Sequence, residues 1–132
     1  IGAYLVVDHQ FSAGAIIASS SLVGRALAPF EAAINSDIDL AVASIKAFDE
    51  IVAASKKAGK KARIHIEVDT GMTRGGFLDE WDQFLKSDFS DVNVIGLFSH
   101  FARADEPGEK QNLDQLKRFT EMAAQLEAPL RH

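Results

Sequence analysis

Residues 67–77 hold three glycines within six positions, and an arginine, Arg74, stands among them. Glycine lets the backbone approach a ligand closely, and a guanidinium donates a fork of hydrogen bonds to an anion or a ring oxygen. The segment lacks the Gly-Lys-Ser/Thr of a phosphate P-loop and the G-x-G-x-x-G of a dinucleotide site. Arg74 is therefore a candidate for binding a small molecule, and the alternative is a turn with a surface arginine.

A second candidate residue, His100, follows the apolar segment 92–99. This segment and residues 62–69 both read as strands, so Arg74 and His100 come after the carboxyl ends of successive strands. Parallel α/β folds keep their chemistry at that end of the sheet. A lone histidine at a strand end is more often structural, but two such strand ends together favour a shared site.

The predicted strand 62–69 alternates between apolar and ionisable side chains. Its ionisable face consists of Arg63, His65, Glu67 and Asp69. Strands of an open parallel sheet are covered on both faces and read as continuous apolar runs, because burying unpaired charge is costly. In a barrel, the outer face packs on helices and inner polar residues reach the active-site mouth. The alternation favours a barrel, and the alternative is a half-exposed sheet with a solvated face.

The chain as a whole alternates between predicted strands and predicted helices. Strands are predicted at 3–7, 38–43, 62–69 and 92–99, with helices at 29–35, 45–58 and 79–86 and a weak helical pattern at 12–27. A last helix is predicted to start at Asn112, with Gln115 completing a loose capping box, and to end before Pro129. Its apolar stripe consists of Leu113, Leu116, Phe119, Ala123 and Leu126. Such βα units predict parallel strands joined by crossovers of one hand.

Length and composition limit the possible classes of protein. The 132 residues suit one small domain, whereas a complete (β/α)₈ barrel needs about 250, so length alone favours a flavodoxin-type sheet. The net charge of −5 and the absence of cysteine argue against nucleic-acid binding and exclude disulfides and cysteine-ligated metals. No apolar run approaches the ~18 residues of a membrane span. We expect a cytoplasmic protein with no bound metal, and the start without Met fits a piece of a longer chain.

Taken together, the two motifs resemble segments of the bacterial alanine racemases. Residues 67–77 are similar to that family's Lys-Val-Asp-Thr-Gly-Met-x-Arg-x-Gly-Phe, and residues 96–105 to its Gly-x-x-Ser/Thr-His-Phe-Ala-x-Ala-Asp. Asn112, Gln115 and Phe119 match its Asn-x-x-Gln-x-x-x-Phe helix. Arg131 and His132 match the start of its Arg-His-x-x-Asn-Ser stretch. The resemblance covers residues 37–132 and does not extend to the first thirty.

The resemblance implies an α/β fold in which residues 1–132 form roughly half of a (β/α)₈ barrel that binds pyridoxal 5'-phosphate (PLP). The parent enzyme would interconvert L- and D-alanine for peptidoglycan, as a homodimer with a C-terminal β domain outside these residues. Racemisation needs an electron sink, which PLP provides, and two bases on opposite faces of Cα. The family's Schiff-base lysine and its partner-subunit tyrosine match no motif here, so this segment alone is expected to be inactive.

The resemblance also implies roles for individual residues. Arg74 would contact the PLP phenolic oxygen and the substrate carboxylate, supporting catalysis without acting as a base. His100 and His132 would lie beneath the cofactor in a hydrogen-bond network, and Met72 would border the substrate carboxylate. Glu67 stands where many members have a lysine, carbamylated in several of them, and is expected to supply the same negative charge by pairing with Arg74. The alternative is an exposed strand glutamate.

Two rival functions remain open at this point. One is another PLP-dependent racemase or decarboxylase of the same fold type, and the other is a non-catalytic flavodoxin-like binding module. Strand order distinguishes the barrel, with consecutive neighbours, from the open sheet, with order 2-1-3-4. We expect His65 to be a barrel filler and the lysines between 56 and 61 to form a solvated helix end. The aromatic side chains expected in the core are Trp81, Phe84, Phe98, Phe101 and Phe119.

Overall fold

The computed structural model describes residues 26–132, which form a parallel four-stranded sheet with helices in its connections. The strands are β1 (Leu40–Val42), β2 (Ala62–Glu67), β3 (Val92–Phe98) and β4 (Leu130–Arg131). The helices are α1 (Ile45–Ala58), α2 (Trp81–Phe84) and α3 (Lys110–Ala123), and a helical segment at 26–35 precedes β1. The strand predicted at 3–7 and most of the weak helical pattern at 12–27 lie outside the described residues.

The strands pair in chain order, β1-β2-β3-β4, and every pair is parallel. Each described strand therefore lies beside the next one along the chain, as in a (β/α) barrel, and not in the 2-1-3-4 order of a flavodoxin-type sheet. The predicted barrel segment is confirmed over these residues, and the open-sheet alternative is wrong. The short strand β4 was not predicted, because two residues are too few to show a periodic pattern.

The two faces of β2 have the environments that their alternation predicts. Ala62, Ile64 and Ile66 are fully buried, while the side chains between them are exposed or half-buried. Phe84 of α2 lies in the same core, stacked on Phe77 with ring centroids 4.2 Å apart. The apolar face of the sheet thus packs on the helical layer, and the polar face is left for the inside of the barrel.

The aromatic predictions are confirmed in part. Trp81 and Phe84 are buried, and Phe98 and Phe119 are half-buried. Phe101 is 44% exposed and does not belong to the core. Its position just after β3 puts it beyond the strand, where it lines a cavity beside Leu116 and Phe119 of the last helix.

Helix α1 begins and ends at residues whose types favour helix termini. The Ser44 hydroxyl accepts a hydrogen bond from the Ala47 amide at 3.2 Å, and Gly59 ends the helix with φ +64°. The predicted stop at Gly59 is confirmed. The neighbouring lysines form surface ion pairs, Lys56 with Asp91 and Lys57 with Glu31, as expected of a solvated helix end.

Helix α3 differs from its prediction. It begins at Lys110 and its N-cap, Glu109, makes no side-chain cap, so the predicted capping box at Asn112 is wrong. The side-chain amide of Asn112 donates instead to two loop carbonyls, and Gln115 is turned inward and buried. The helix predicted at 79–86 is also shorter, reduced to α2. Among residues 26–132, no helix is long and apolar enough to span a membrane.

The apolar stripe of α3 is only partly covered. Ala123 is buried, whereas Leu113 and Leu116 are 66% and 50% exposed. Leu130 on β4 and Ile38 before β1 are also exposed. Apolar surface beside open strand edges favours association with other chains.

We expect the 132-residue segment, expressed alone, to dimerise or aggregate, because within residues 26–132 these apolar side chains are exposed and the outer edges of β1 and β4 pair with no further strand. Size-exclusion chromatography with light scattering measures the effect. Replacing Leu113 and Leu116 by glutamine should shift the distribution towards monomer. If the unsubstituted segment is monomeric at high concentration, the expectation is contradicted.

Candidate active site

The loop after β2, residues 68–77, returns to the point where it starts. The Asp69 amide donates to the Phe77 carbonyl at 2.9 Å, and the Phe77 amide donates to the Glu67 carbonyl at 2.8 Å. Val68 and Phe77 pair as a parallel bridge, and both side chains are buried. The loop is therefore closed at its base, and the strand end holds it in place.

Asp69 organises the interior of this loop. Its Oδ1 accepts hydrogen bonds from the Gly71 amide at 2.8 Å and from the Thr73 amide at 3.1 Å. These contacts are those of an Asx turn, and they hold Thr73 at a left-handed φ of +54°. Asp69 lines the same cleft as Glu67, and its own loop takes up the buried carboxylate.

Four of the predicted site residues line one small cleft at the carboxyl edge of the sheet: Glu67, Met72, Arg74 and His100. Arg74 comes from the loop after β2 and His100 from the end of β3, and these two strands are neighbours. Arg74 is exposed and takes part in no ion pair among residues 26–132. The cleft thus offers a guanidinium without an acidic partner in the described chain, together with an imidazole.

Glu67 pairs with His100, and not with Arg74 as expected. Its Oε1 lies 3.6 Å from the His100 Nε2, and no ion pair joins it to Arg74 in the described chain. The register explains the difference, because Glu67 is paired with Phe98, two residues before His100. The carboxylate therefore places its negative charge beside the imidazole.

A chain of hydroxyl groups joins the ends of β2 and β3. The Ser99 hydroxyl donates to the Val68 carbonyl at 2.7 Å, so its oxygen accepts from the Thr70 hydroxyl at 2.8 Å. The Thr70 oxygen in turn accepts from the Gln115 amide at 3.2 Å. Each hydroxyl both donates and accepts, and the direction of every bond is determined.

Gln115 of α3 completes this brace. Its Nε2 also donates to the His100 carbonyl at 2.9 Å, and its Oε1 accepts from the Ala102 amide at 2.9 Å. The side chain is only 2% exposed. Sequence reasoning gave Gln115 a capping role and missed this function, although a polar residue between apolar stripe positions could have indicated a buried partner.

The strand β4 brings His132 beside β3. The His132 amide donates to the Leu97 carbonyl at 3.1 Å, and its ring stacks on Phe98 with centroids 5.5 Å apart. Its Nε2 lies 3.1 Å from the Nδ1 of His65. The expectation that His65 fills the barrel is incomplete, because its imidazole is also hydrogen-bonded to a predicted site residue.

His65 also contacts a charged pair formed by Asp39, just before β1, and Arg63 of its own strand β2. Its Nε2 lies 3.2 Å from the Oδ2 of Asp39. Arg63 donates to the same carboxylate through Nε and through Nη2. The hydrogen bond from Arg63 lowers the pKa of Asp39 below its usual value. Asp39 is consequently a carboxylate that can only accept hydrogen bonds.

The fold and the cleft define the class of protein: a parallel (β/α) barrel segment with polar side chains gathered at its carboxyl edge. Residues 13–132 match the family model described as the N-terminal domain of alanine racemase. The chain therefore belongs to the alanine racemase family.

Individual relatives agree with this assignment. The alanine racemase of Beutenbergia cavernae is 39% identical over 106 residues, which cover 76% of this chain and 28% of that protein. The crystal structure of alanine racemase from Streptomyces lavendulae superposes with a TM-score of 0.75 at 36% identity, covering 79% of this chain and 30% of that one. The chain thus spans less than a third of these relatives.

A third relative was solved with a cofactor in place. It is the alanine racemase of Bartonella henselae with covalently bound pyridoxal phosphate, which superposes with a TM-score of 0.69 at 26% identity. The match covers 76% of this chain and 30% of that one.

Gly76→Ala should destabilise the natural protein by about 1–3 kcal/mol or more. Gly76 has a φ of +101°, and a Cβ there would lie 2.8 Å from the Asp69 amide nitrogen and from the Val68 carbonyl carbon. Gly108→Ala is the control, since its Cβ would meet nothing within 4 Å, and should change stability by less than about 0.5 kcal/mol. Urea denaturation measures both, and equal effects would contradict the account of the loop.

Arg63→Gln should raise the pKa of Asp39 towards its usual value, because it removes the hydrogen bond that lowers it. A lowered folded-state pKa stabilises the fold above the unfolded value of about 3.9. That stability is lost as the pH falls through the folded-state pKa. Carboxyl ¹³C NMR titration measures the shift, with Arg103→Gln as control because Arg103 pairs with other acids. An unchanged Asp39 titration would contradict the assignment.

Proposed function

We propose that the protein containing this chain interconverts L- and D-alanine with pyridoxal 5'-phosphate as its cofactor. The observation that carries the proposal is the cleft shared by Arg74 and His100, at adjacent strand ends of a chain in the alanine racemase family. Substrate and cofactor follow from the family and from the relative that binds PLP covalently.

The residues of the cleft suit such a cofactor. The Arg74 guanidinium carries paired N–H donors and has no acidic partner in the described chain. Such a group fits a phenolate or carboxylate oxygen. Gly75 also lines the cleft, and a glycine lets the backbone approach a ligand closely. PLP, when bound, supplies the electron sink that makes the Cα proton of an amino acid removable.

The roles we assign to the chain's own residues are binding and orientation. Arg74 holds the cofactor's phenolic oxygen and the substrate carboxylate, and Met72 borders that carboxylate. His100 and His132 lie beneath the cofactor. Glu67 supports the site through His100, because its carboxylate lies 3.6 Å from the His100 Nε2 and places a negative charge beside the imidazole. Neither of the two bases has a matching motif in this chain, so we propose that other parts of the whole protein supply both.

The wider setting follows from the family resemblance. We propose that residues 1–132 belong to the PLP barrel domain, that a β domain follows in the whole protein, and that two copies form a homodimer. D-Alanine made in the cytoplasm would be used for peptidoglycan. The net charge of −5 agrees with a small-molecule enzyme that has no nucleic-acid or membrane partner.

Arg74→Lys should lower kcat/KM for alanine racemisation by about 10- to 100-fold, because lysine cannot reproduce the paired donors of the guanidinium. Formation of D-alanine by the PLP-loaded natural protein measures the effect. Arg103→Lys, which alters a surface ion pair, is the matched control and should leave the rate unchanged.

Two outcomes would count against the proposal. Equal rates for Arg74→Lys and Arg103→Lys would show that Arg74 does not belong to the site. Racemisation of another amino acid, with none of alanine, would assign the same fold and cofactor to a different substrate.

A further inference from the structure

We propose that Asp39 and His65 are positioning residues that determine which ring nitrogen of His132 carries the proton. The inference deepens the proposed function, because His132 is one of the histidines assigned to the cofactor. It rests on a continuous hydrogen-bond path from Asp39, just before β1, through His65 of β2 to His132, just after β4, and the direction of this path follows from the chemistry of its ends.

The path starts at a carboxylate that Arg63 holds from one side. Arg63 donates to Asp39 through Nε and, at 3.2 Å, through Nη2. The Asp39 Oδ2 lies 3.2 Å from the His65 Nε2, and the His65 Nδ1 lies 3.1 Å from the His132 Nε2. Four side chains thus form one line across the open face of the sheet.

The protons in this line can be placed by elimination. A carboxylate accepts and never donates, so the His65 Nε2 carries a proton and donates to Asp39. A neutral imidazole has one donor and one acceptor nitrogen, so the His65 Nδ1 accepts. The His132 Nε2 must then donate to it. The Nδ1 of His132 is left as an acceptor, ready for a donor group of the site.

Packing holds the two imidazoles in this arrangement. A register shift between Ile64 and His65 sets His65 opposite Gly96, and a Cβ at Gly96 would collide with the His65 ring. The His65 side chain is only 16% exposed. The ring of His132 stacks on Phe98 at an interplanar angle of 14°. Packing against the sheet therefore fixes both imidazole side chains, and the hydrogen-bond path does not depend on freely rotating surface side chains.

Asp39→Asn provides the sharpest test, because it replaces an acceptor by a donor with little change of shape. Arg63 would keep the amide oxygen, and the amide nitrogen would face His65. The His65 Nε2 must then accept, its Nδ1 must donate, and His132 must move its proton to Nδ1. A wrong tautomer of this kind disables a histidine while leaving its geometry intact.

The measurement is long-range ¹H–¹⁵N NMR of the imidazoles in the natural holoenzyme at about pH 9, above the range in which histidine ordinarily titrates. The unsubstituted protein should show His65 and His132 with the proton on Nε2. Asp39→Asn should move both protons to Nδ1 and lower kcat by about tenfold or more. Asp37→Asn, at a surface pair with Lys60, should change neither.

His65→Gln separates positioning from mere structure. Its amide can donate to Asp39 and accept from His132, so the His132 proton should stay on Nε2, whereas His65→Phe should release it. A proton on the His132 Nδ1 in the unsubstituted protein, or an unmoved pattern in Asp39→Asn, would overturn the proposal. Failure to racemise alanine would instead refute the proposed function, because the NMR pattern does not depend on it.

Discussion

The parallel pairing of β2 with β3 is the constraint on which the candidate site depends. It fixes the strand ends that carry Arg74 and His100, and the hydroxyls of Thr70 and Ser99 bridge the same two ends. Gln115 closes the arrangement from α3 with both of its amide atoms. Because every member of this brace is satisfied, movement of one strand end relative to the other would leave buried polar groups unpaired, which is costly. The brace therefore preorganises the cleft before any ligand enters.

The ionisable face of β2 serves three separate purposes. Arg63 neutralises and orients Asp39, His65 connects that carboxylate to His132, and Glu67 places its charge beside His100. The ionisable side chains of this face extend from a surface ion pair at one end of the strand to the cleft at the other end. A single strand can do this because its opposite face is wholly apolar and carries the packing. The polar residues of β2 therefore take no part in packing the core.

Much of the fold could be predicted from local patterns, and much of the site could not. The alternation within 62–69 and the stop signal at Gly59 are local, and the structure agrees with both. Gln115 and His65 acquire their roles from residues far away in the chain, at Thr70 and His132, which no periodicity reveals. Glu67 is the clearest case, since the family resemblance implied a pairing with Arg74, whereas the strand register places it beside His100. The assembly of the barrel likewise needed the family likeness, because length alone favoured another architecture.

The self-closing loop after β2 has an evolutionary consequence. Its anchoring contacts use main-chain groups, the buried side chains of Val68 and Phe77, and the carboxylate of Asp69. Side chains at its tip, such as Met72, contribute none of those anchors and can be exchanged without disturbing the strand end. Evolution can therefore replace side chains at the tip, and so change the lining of the cleft, while the closed base of the loop keeps its geometry.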